Sequence, residues 1–448
     1  MKQRENFGSK LGIIMATAGS ALGLGNIYRF PIEAGNNGGG AFLIVYLVVA
    51  LLIGTPLMIS EFVIGRRSKS NPVGAFRTLA GKRTAWPLVG WMGILCAFLI
   101  LAFYTTVAGW TLGYFGKSIA NHFAGQNLEQ IQQQFSAFVT HPWLPIVCQL
   151  AFLALTAFVV VRGVKDGIER WSKILMPMLL VIMVVLCVKS LTLPGAADGL
   201  RFLFLPDFSK ITGSVILSAL GQSFFSLSIG MGALITYGSY IAKKDNMVSS
   251  AVSVVLADTL VAVLAGVIIF PAALSFGIPT EAGSSLAFTT LPMIFQQMTG
   301  GYFFCLIFFL LLVIATLTST ISLLEVIVAA LTEEFGIVRP KAAWLGAGIT
   351  AVIGVIATLS FRNGSPLHLG SMTAFDILDF VTSHYIMPIG GLLIVLFLGW
   401  RMKKADVLDE MTNGGTLRRG IRTAIYCIIR YLAPVAIAVI FVSQLVTP

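Results

Sequence analysis

The chain has 448 residues, of which 57% are hydrophobic and only 11% charged, and its mean hydropathy is +0.90. Soluble domains carry roughly 25% charged residues, so a water-soluble globule is excluded. The formal charge of +11 raises the question of a nucleic-acid partner, which the placement of the positive residues answers.

A membrane-crossing helix needs about 20 mostly apolar residues. Such runs predict eleven spans, near residues 11-35, 41-65, 85-118, 143-161, 167-190, 212-241, 246-275, 300-335, 341-360, 375-401 and 421-446. Basic residues gather in alternate connections. One side holds Lys2, Arg4 and Lys10, then Arg66 to Arg83, Arg162 to Lys173, Lys243 and Lys244, Arg339 and Lys341, and Arg401 to Arg422. The other holds little beyond Lys117, Arg201, Lys210 and Arg362. By the positive-inside rule the first side, with the N-terminus, is expected to be cytoplasmic. The charge therefore reflects topology, and no nucleic acid is expected. The first apolar run lacks a small-residue cleavage site and reads as a retained helix. The five cysteines, Cys96, Cys148, Cys187, Cys305 and Cys427, fall in predicted spans without metal-ligand spacing and read as packing residues.

No linker or low-complexity run divides the chain, so residues 1-448 read as one membrane domain. The first span carries GSALGLGN (Gly19 to Asn26) and the sixth QSFFSLSIGMGA (Gln222 to Ala233). Each glycine inside a helix weakens it by about 1 kcal/mol relative to Ala. Unpaired backbone is tolerated within a membrane only where it lines a cavity or is buried in protein. Close helix packing through small residues is the plain alternative for either segment alone. Together they open corresponding five-helix halves, residues 11-190 and 212-402, followed by an eleventh helix at 421-446. That pairing points to a transporter site at an inverted-repeat interface.

The phrases GSALGLGNIYRFP, NGGGAFLIVY, IERWSKILMP, GQSFFSLSIGMGALITYGSY and ATLTSTIS follow one another in order. In them the sequence resembles the neurotransmitter:sodium symporter family, and in length its bacterial eleven-helix amino-acid transporters. The resemblance implies an all-α membrane protein of the LeuT fold, with a 5+5 inverted-topology repeat and discontinuous helices 1 and 6. It implies sodium-coupled import of an amino acid by alternating access across a bacterial plasma membrane, with no enzymatic step. The implied partners are the amino acid, two sodium ions and the lipid bilayer, and a homodimer is admitted.

Sodium is a hard cation that favours oxygen ligands. The resemblance implies one ion at the Ala21 carbonyl, the Asn26 side chain, the Ser226 carbonyl and hydroxyl, Asp258 and the substrate carboxylate. It implies a second at the carbonyls of Gly19, Leu22 and Ala315 and the hydroxyls of Thr318 and Ser319. Back-bonding to the preceding turn is the ordinary fate of such hydroxyls; their occurrence together with GSALGLGN favours ligation.

Asp258 lies in the apolar run SVVLADTLVAVLAG, where a carboxylate is functional by default. Chloride-dependent members are expected to have Asn there and Ser one turn later, where this chain has Ala262. Tyr46, Gln222 and Ser226 match the rest of the halide site. Asp258 is therefore expected to replace chloride, and a proton returning on it once sodium has left is the further expectation.

Gly23 stands where monoamine carriers have an aspartate, so the cargo is expected to bring its own carboxylate. The amides of Leu24 and Gly25 and the Tyr104 hydroxyl are expected to hold that group, with carbonyls of Ala21, Phe225 and Ser226 on the ammonium. Ser20, Ile100, Phe225, Ser228, Met231, Ser319 and Leu323 would select the side chain. This uncharged wall disfavours charged cargo, and Met231 adapts to several shapes. For Ile100, Met231 and Leu323, core packing is the alternative. Large hydrophobic or aromatic amino acids are the leading class.

Arg29 in the first span needs a partner, which the resemblance places at Asp379, with Tyr104 and Phe225 beneath. At the other end Arg4 would pair with Glu333. Phe7, where the family commonly has Trp, would plug that end beside Tyr240 and Ser239. Glu61 is expected to accept amides freed in the sixth helix. The two pairs would break alternately.

Three rivals compete. A sodium-independent amino-acid/proton carrier of the same fold is opposed by Asn26, Thr318 and Ser319 occurring together. The second is a channel or a transport-like sensor; a conducting pore would be expected to show filter repeats or charge rings, and the sequence shows none. An enzyme would need more than four scattered histidines, His122, His141, His368 and His384, with neither HExxH nor G-x-S-x-G.

Overall fold

The structure, a computed structural model, describes residues 6–277, 286–412 and 417–446. Among these, nine helices are long and apolar enough to cross a membrane: Gly40–Ser68, Pro87–Ile119, Leu144–Val161, Val164–Leu191, Met247–Ser275, Gly301–Phe335, Arg339–Leu359, Ala374–Arg401 and Arg419–Val439. The two remaining expected spans are broken. The first is a pair, Lys10–Ala21 and Gly25–Asn36, bent by 50°. The sixth is Gly213–Ser226 and Ala233–Tyr240, of 14 and 8 residues, each too short to cross alone. The eleven expected spans thus become nine continuous helices and two interrupted ones, because glycine-rich segments leave the helical path where the sequence weakens it.

Helix starts follow from local chemistry. Ser9 accepts the Gly12 N–H at 3.0 Å, Asn71 those of Val73 and Gly74 at 2.9 and 3.1 Å, and Asn246 that of Ser249 at 2.9 Å. Each side-chain oxygen satisfies an amide with no partner inside its helix. One short hairpin pairs His368–Leu369 with Met372–Thr373.

The helix Gly301–Phe335 forms the centre of the bundle. It is buried without interruption from Ile314 to Ala330, as a helix apolar on every face should be. Peripheral helices turn apolar residues outward, with Val181 63% and Val352 62% exposed, which suits a surface solvated by lipid. The second half of the broken sixth helix lies against Gly40–Ser68 at backbone contact: a Cβ added to Gly65 would sit 2.0 Å from the Ile235 carbonyl oxygen. Such approaches are how membrane helices pack without a hydrophobic driving force.

Candidate functional site

The two helix breaks face each other. In the first, Gly23 N–H turns back to the Ala21 oxygen at 3.0 Å. A Cβ at Gly23 would meet Ser319 Oγ at 2.4 Å and Tyr104 Oη at 2.7 Å, so only glycine lets these two hydroxyls close in. Tyr104 Oη accepts the Leu24 N–H at 3.0 Å.

The second break turns on positive φ at Ser228 (57°), Gly230 (84°) and Gly232 (73°). Two are glycines, which adopt this conformation freely. Ser228 does not, and such strain persists only when the surroundings hold it. Here its hydroxyl donates to the Ser20 oxygen at 3.0 Å, joining one break to the other. Gly230 N–H donates to Glu61 Oε1 at 2.7 Å, and Gln222 Nε2 donates to the Gly25 oxygen at 2.7 Å.

Between the breaks lies a cavity of about 30 Å³ lined by Ser20, Ala21, Gly23, Gly25, Ile100, Tyr104, Phe225, Ser228, Met231, Ser319 and Leu323. Two residues of the expected substrate set are not on this wall. Leu24 lines a second cavity of about 420 Å³ with Arg29, Glu33, Trp110, Phe375 and Asp379, and Ser226 turns toward Asp258. Tyr104 and Phe225 line both cavities. A water needs about 10–15 Å³ of such space, so the inner cavity must widen to take an amino acid.

Asp258 is wholly buried. Its Oδ2 accepts the Tyr46 hydroxyl at 2.8 Å; its Oδ1 accepts the Ser226 hydroxyl at 2.7 Å and Asn26 Nδ2 at 2.7 Å. Asn26 Oδ1 accepts the Gly23 N–H at 3.3 Å. All three partners of the carboxylate are neutral, and a buried negative charge without a compensating positive one is costly. Ser226 Oγ and the Asp258 carboxylate are hard oxygen donors of the kind an alkali cation takes, while Asn26 turns its Nδ2 toward them and its Oδ1 toward the Gly23 N–H. Ala262, one turn along, is also wholly buried and adds no hydroxyl. Gln222 Oε1 has no hydrogen-bond partner among the described residues.

The second expected ion site is only partly arranged for ligation. Thr318 Oγ1 back-bonds to the Ala315 oxygen at 3.1 Å, the ordinary fate of a helical hydroxyl. Ser319 Oγ leans across to the first helix, 3.5 Å from the Gly19 oxygen and 3.4 Å from that of Ser20. A Cβ at Gly19 would lie 3.2 Å from Thr318 Cβ, so the two segments are adjacent. The Leu22 N–H bonds the Ala18 oxygen at 2.6 Å.

Among the described residues no ion pair joins Arg29 to Asp379. Arg29 Nε stands 3.7 Å from Glu33 Oε1 and its guanidinium 4.8 Å above the Phe225 ring. Asp379 Oδ1 accepts the Ser383 hydroxyl at 2.9 Å. Arg29 and Asp379 both line the larger cavity, and Glu33, one turn along the same helix, is within reach of Arg29. At the other end of the first helix Phe7 is buried, edge-on to Tyr237 and Tyr240 at 5.7 and 5.9 Å. Glu333 accepts the backbone and side-chain amides of Asn71 at 2.8 and 3.1 Å; Arg4 lies outside the described residues. Ser239 Oγ donates to the Thr236 oxygen. The Tyr240 hydroxyl donates to Glu325 Oε1 at 2.6 Å, and Arg339 Nη2 pairs with Glu325 Oε2 at 2.5 Å. Glu325 was not singled out from the sequence, although a carboxylate in the apolar run LLEVIVAAL was the signal.

The profile of the sodium:neurotransmitter symporter family matches residues 4–133 and 118–448. The sodium-dependent transporter YhdH of Bacillus subtilis (strain 168) is 40% identical over 435 residues, 97% of this chain and 96% of its own. A sodium-dependent transporter of Haemophilus influenzae is 34% identical, covering 99% of both chains. The crystal structure of MhsT in complex with L-phenylalanine superposes with a TM-score of 0.91 at 42% identity, over 99% of this chain and 100% of that one.

Proposed function

Because the chain belongs to the sodium:neurotransmitter symporter family, and so is a sodium-dependent multi-pass membrane transporter and not an enzyme, we propose that it imports large neutral, hydrophobic or aromatic L-amino acids. The observation that carries this reading is the uncharged wall of the inner cavity, set between two helix breaks and lacking an aspartate at Gly23. An amino acid supplies both of its own charges, and freed backbone groups answer them without charged side chains. MhsT, with phenylalanine bound, supports the aromatic class.

Two sodium ions would travel with the amino acid. Asn26, Ser226, Asp258 and the Ala21 carbonyl would hold one beside the substrate. The second would need the Thr318 hydroxyl to release its back-bond to Ala315 and join Ser319 and the Gly19, Leu22 and Ala315 carbonyls. Asp258 meets the first ion's charge, so transport would proceed without chloride, and the same carboxylate would carry a proton back. Arg29 and Asp379 would close over the loaded pocket while Arg4, Phe7 and Glu333 let go at the other end. That second end would face the cytoplasm of a bacterial cell, and residues 11-190 and 212-402 would act as the inverted repeats.

The test is sodium-dependent binding of a labelled amino acid to the purified protein, with all twenty amino acids as competitors. Leu, Met, Phe, Tyr and Trp should compete best and binding should vanish without sodium. Best competition by a charged or small amino acid, or undiminished binding without sodium, would sink the reading. Replacing chloride with gluconate should leave uptake unchanged, and uptake into proteoliposomes should move protons in the opposite direction.

A further inference from the structure

A third cavity, of about 360 Å³, is lined by Ala85, Trp86, Leu88, Val89, Met92 and Leu393, all apolar. It lies where the helix Pro87–Ile119 begins beside the helix Ala374–Arg401. Leu88 is 66% exposed, so this is a groove on the outer face of the bundle. One turn beyond Leu393 the Phe397 ring packs on Trp86 at 4.8 Å. One turn further Arg401 Nη2 reaches the Ala80 oxygen at 3.5 Å, and the exposed Lys82 and Arg83 follow directly in the chain.

Arg401 thus stands beside the segment that carries Lys82 and Arg83, at one end of an apolar groove. Of the acids on adjoining elements, Glu334 pairs with Arg77 at 2.7 Å and Asp406 with Arg67 at 2.8 Å, while Asp409 is exposed on the helix Lys404–Thr412. We propose that this groove binds one anionic glycerophospholipid, with an acyl chain against Trp86, Met92 and Leu393 and its phosphate at Lys82, Arg83 and Arg401. The apolar wall calls for an apolar occupant, which a free phosphate is not. The unbalanced cations favour a net negative headgroup, because a zwitterionic one would bring its own cation into the cluster.

Gly93, which follows the groove residue Met92 in the chain, packs against the broken sixth helix. A Cβ at Gly93 would lie 3.3 Å from the Gly232 nitrogen, and one at Gly232 would lie 3.0 Å from Pro72 Cγ.

The test is native mass spectrometry of the purified protein from bilayers of equal phosphatidylglycerol and phosphatidylcholine. The wild type should retain one phosphatidylglycerol in preference. Each of Lys82→Gln, Arg83→Gln and Arg401→Gln should weaken retention about fivefold, and the triple variant about a hundredfold. Leu393→Trp, which fills the groove and leaves the cations in place, should also lose the lipid. Folding is checked by elution as a single sharp peak; Lys82 and Arg83 are exposed, so their variants keep the test alive should Leu393→Trp fail it. Equal retention of both lipids, or variants that hold phosphatidylglycerol as the wild type does, would overturn the proposal. So would loss in the charge variants alone, since the headgroup contacts would then be independent of the groove.

Discussion

Gly23 shows how little room the inner cavity leaves. Its absent side chain is replaced by Ser319 Oγ and Tyr104 Oη, which would stand 2.4 and 2.7 Å from a Cβ. Overpacking of this kind costs about 1–3 kcal/mol. Gly23→Ala should therefore weaken sodium-dependent amino-acid binding by about ten- to a hundredfold, read by scintillation proximity; wild-type affinity would mean the cargo binds elsewhere. Asp258 depends on its neighbours differently. Tyr46, Ser226 and Asn26 donate to it at 2.7 to 2.8 Å and none brings a charge. Asp258→Asn removes the negative charge that would stand in for chloride. Uptake by that variant should be lost in chloride-free buffer, and adding Ala262→Ser should make it respond to chloride. An Asp258→Asn protein with normal uptake in gluconate would remove the carboxylate from the mechanism.

At the scale of the element, the sixth helix is held open as much by what it touches as by its own glycines. Gly230 N–H, freed by the break, finds Glu61 Oε1 at 2.7 Å on a helix far away in sequence. A buried amide left without an acceptor costs about 1–3 kcal/mol. Glu61→Ala should lower the unfolding temperature in detergent, whereas Glu61→Gln, which keeps an acceptor oxygen, should lower it much less. Equal losses would show that the carboxylate's charge matters more than its hydrogen bond. The strained Ser228 is held by its bond to Ser20, so the two breaks are expected to move as a unit.

At the scale of the whole molecule, the larger cavity of about 420 Å³ stands next to an inner one of about 30 Å³, with Arg29 paired to Glu33 rather than to Asp379. In the proposed alternating-access cycle the helices Gly25–Asn36 and Ala374–Arg401 would close over a loaded pocket. Spin labels at Ile32 and Asp376, which both line the larger cavity, should draw together when sodium and a bound amino acid are added. An unchanged distance would reject that closure.

Much of this architecture is legible in the chain itself. Apolar runs bounded by basic connections specify a helical membrane protein because lipid leaves the backbone no other partners, and GSALGLGN and QSFFSLSIGMGA mark where two helices part. The residues that the family resemblance places around the cargo, Leu24 and Ser226 apart, line one cavity. Partner choice does not follow from register. Arg29 lies within reach of Glu33 and faces a cavity that also contains Asp379, Thr318 can bond its own turn or turn toward the first helix, and Glu325 needs Arg339 and Tyr240 brought from other helices. Which partner a buried polar group takes depends on which atoms lie within about 3 Å of it in the folded state. That proximity is set by how the helices pack, so composition and spacing alone determined the class and the breaks, and the tertiary structure decided the pairings.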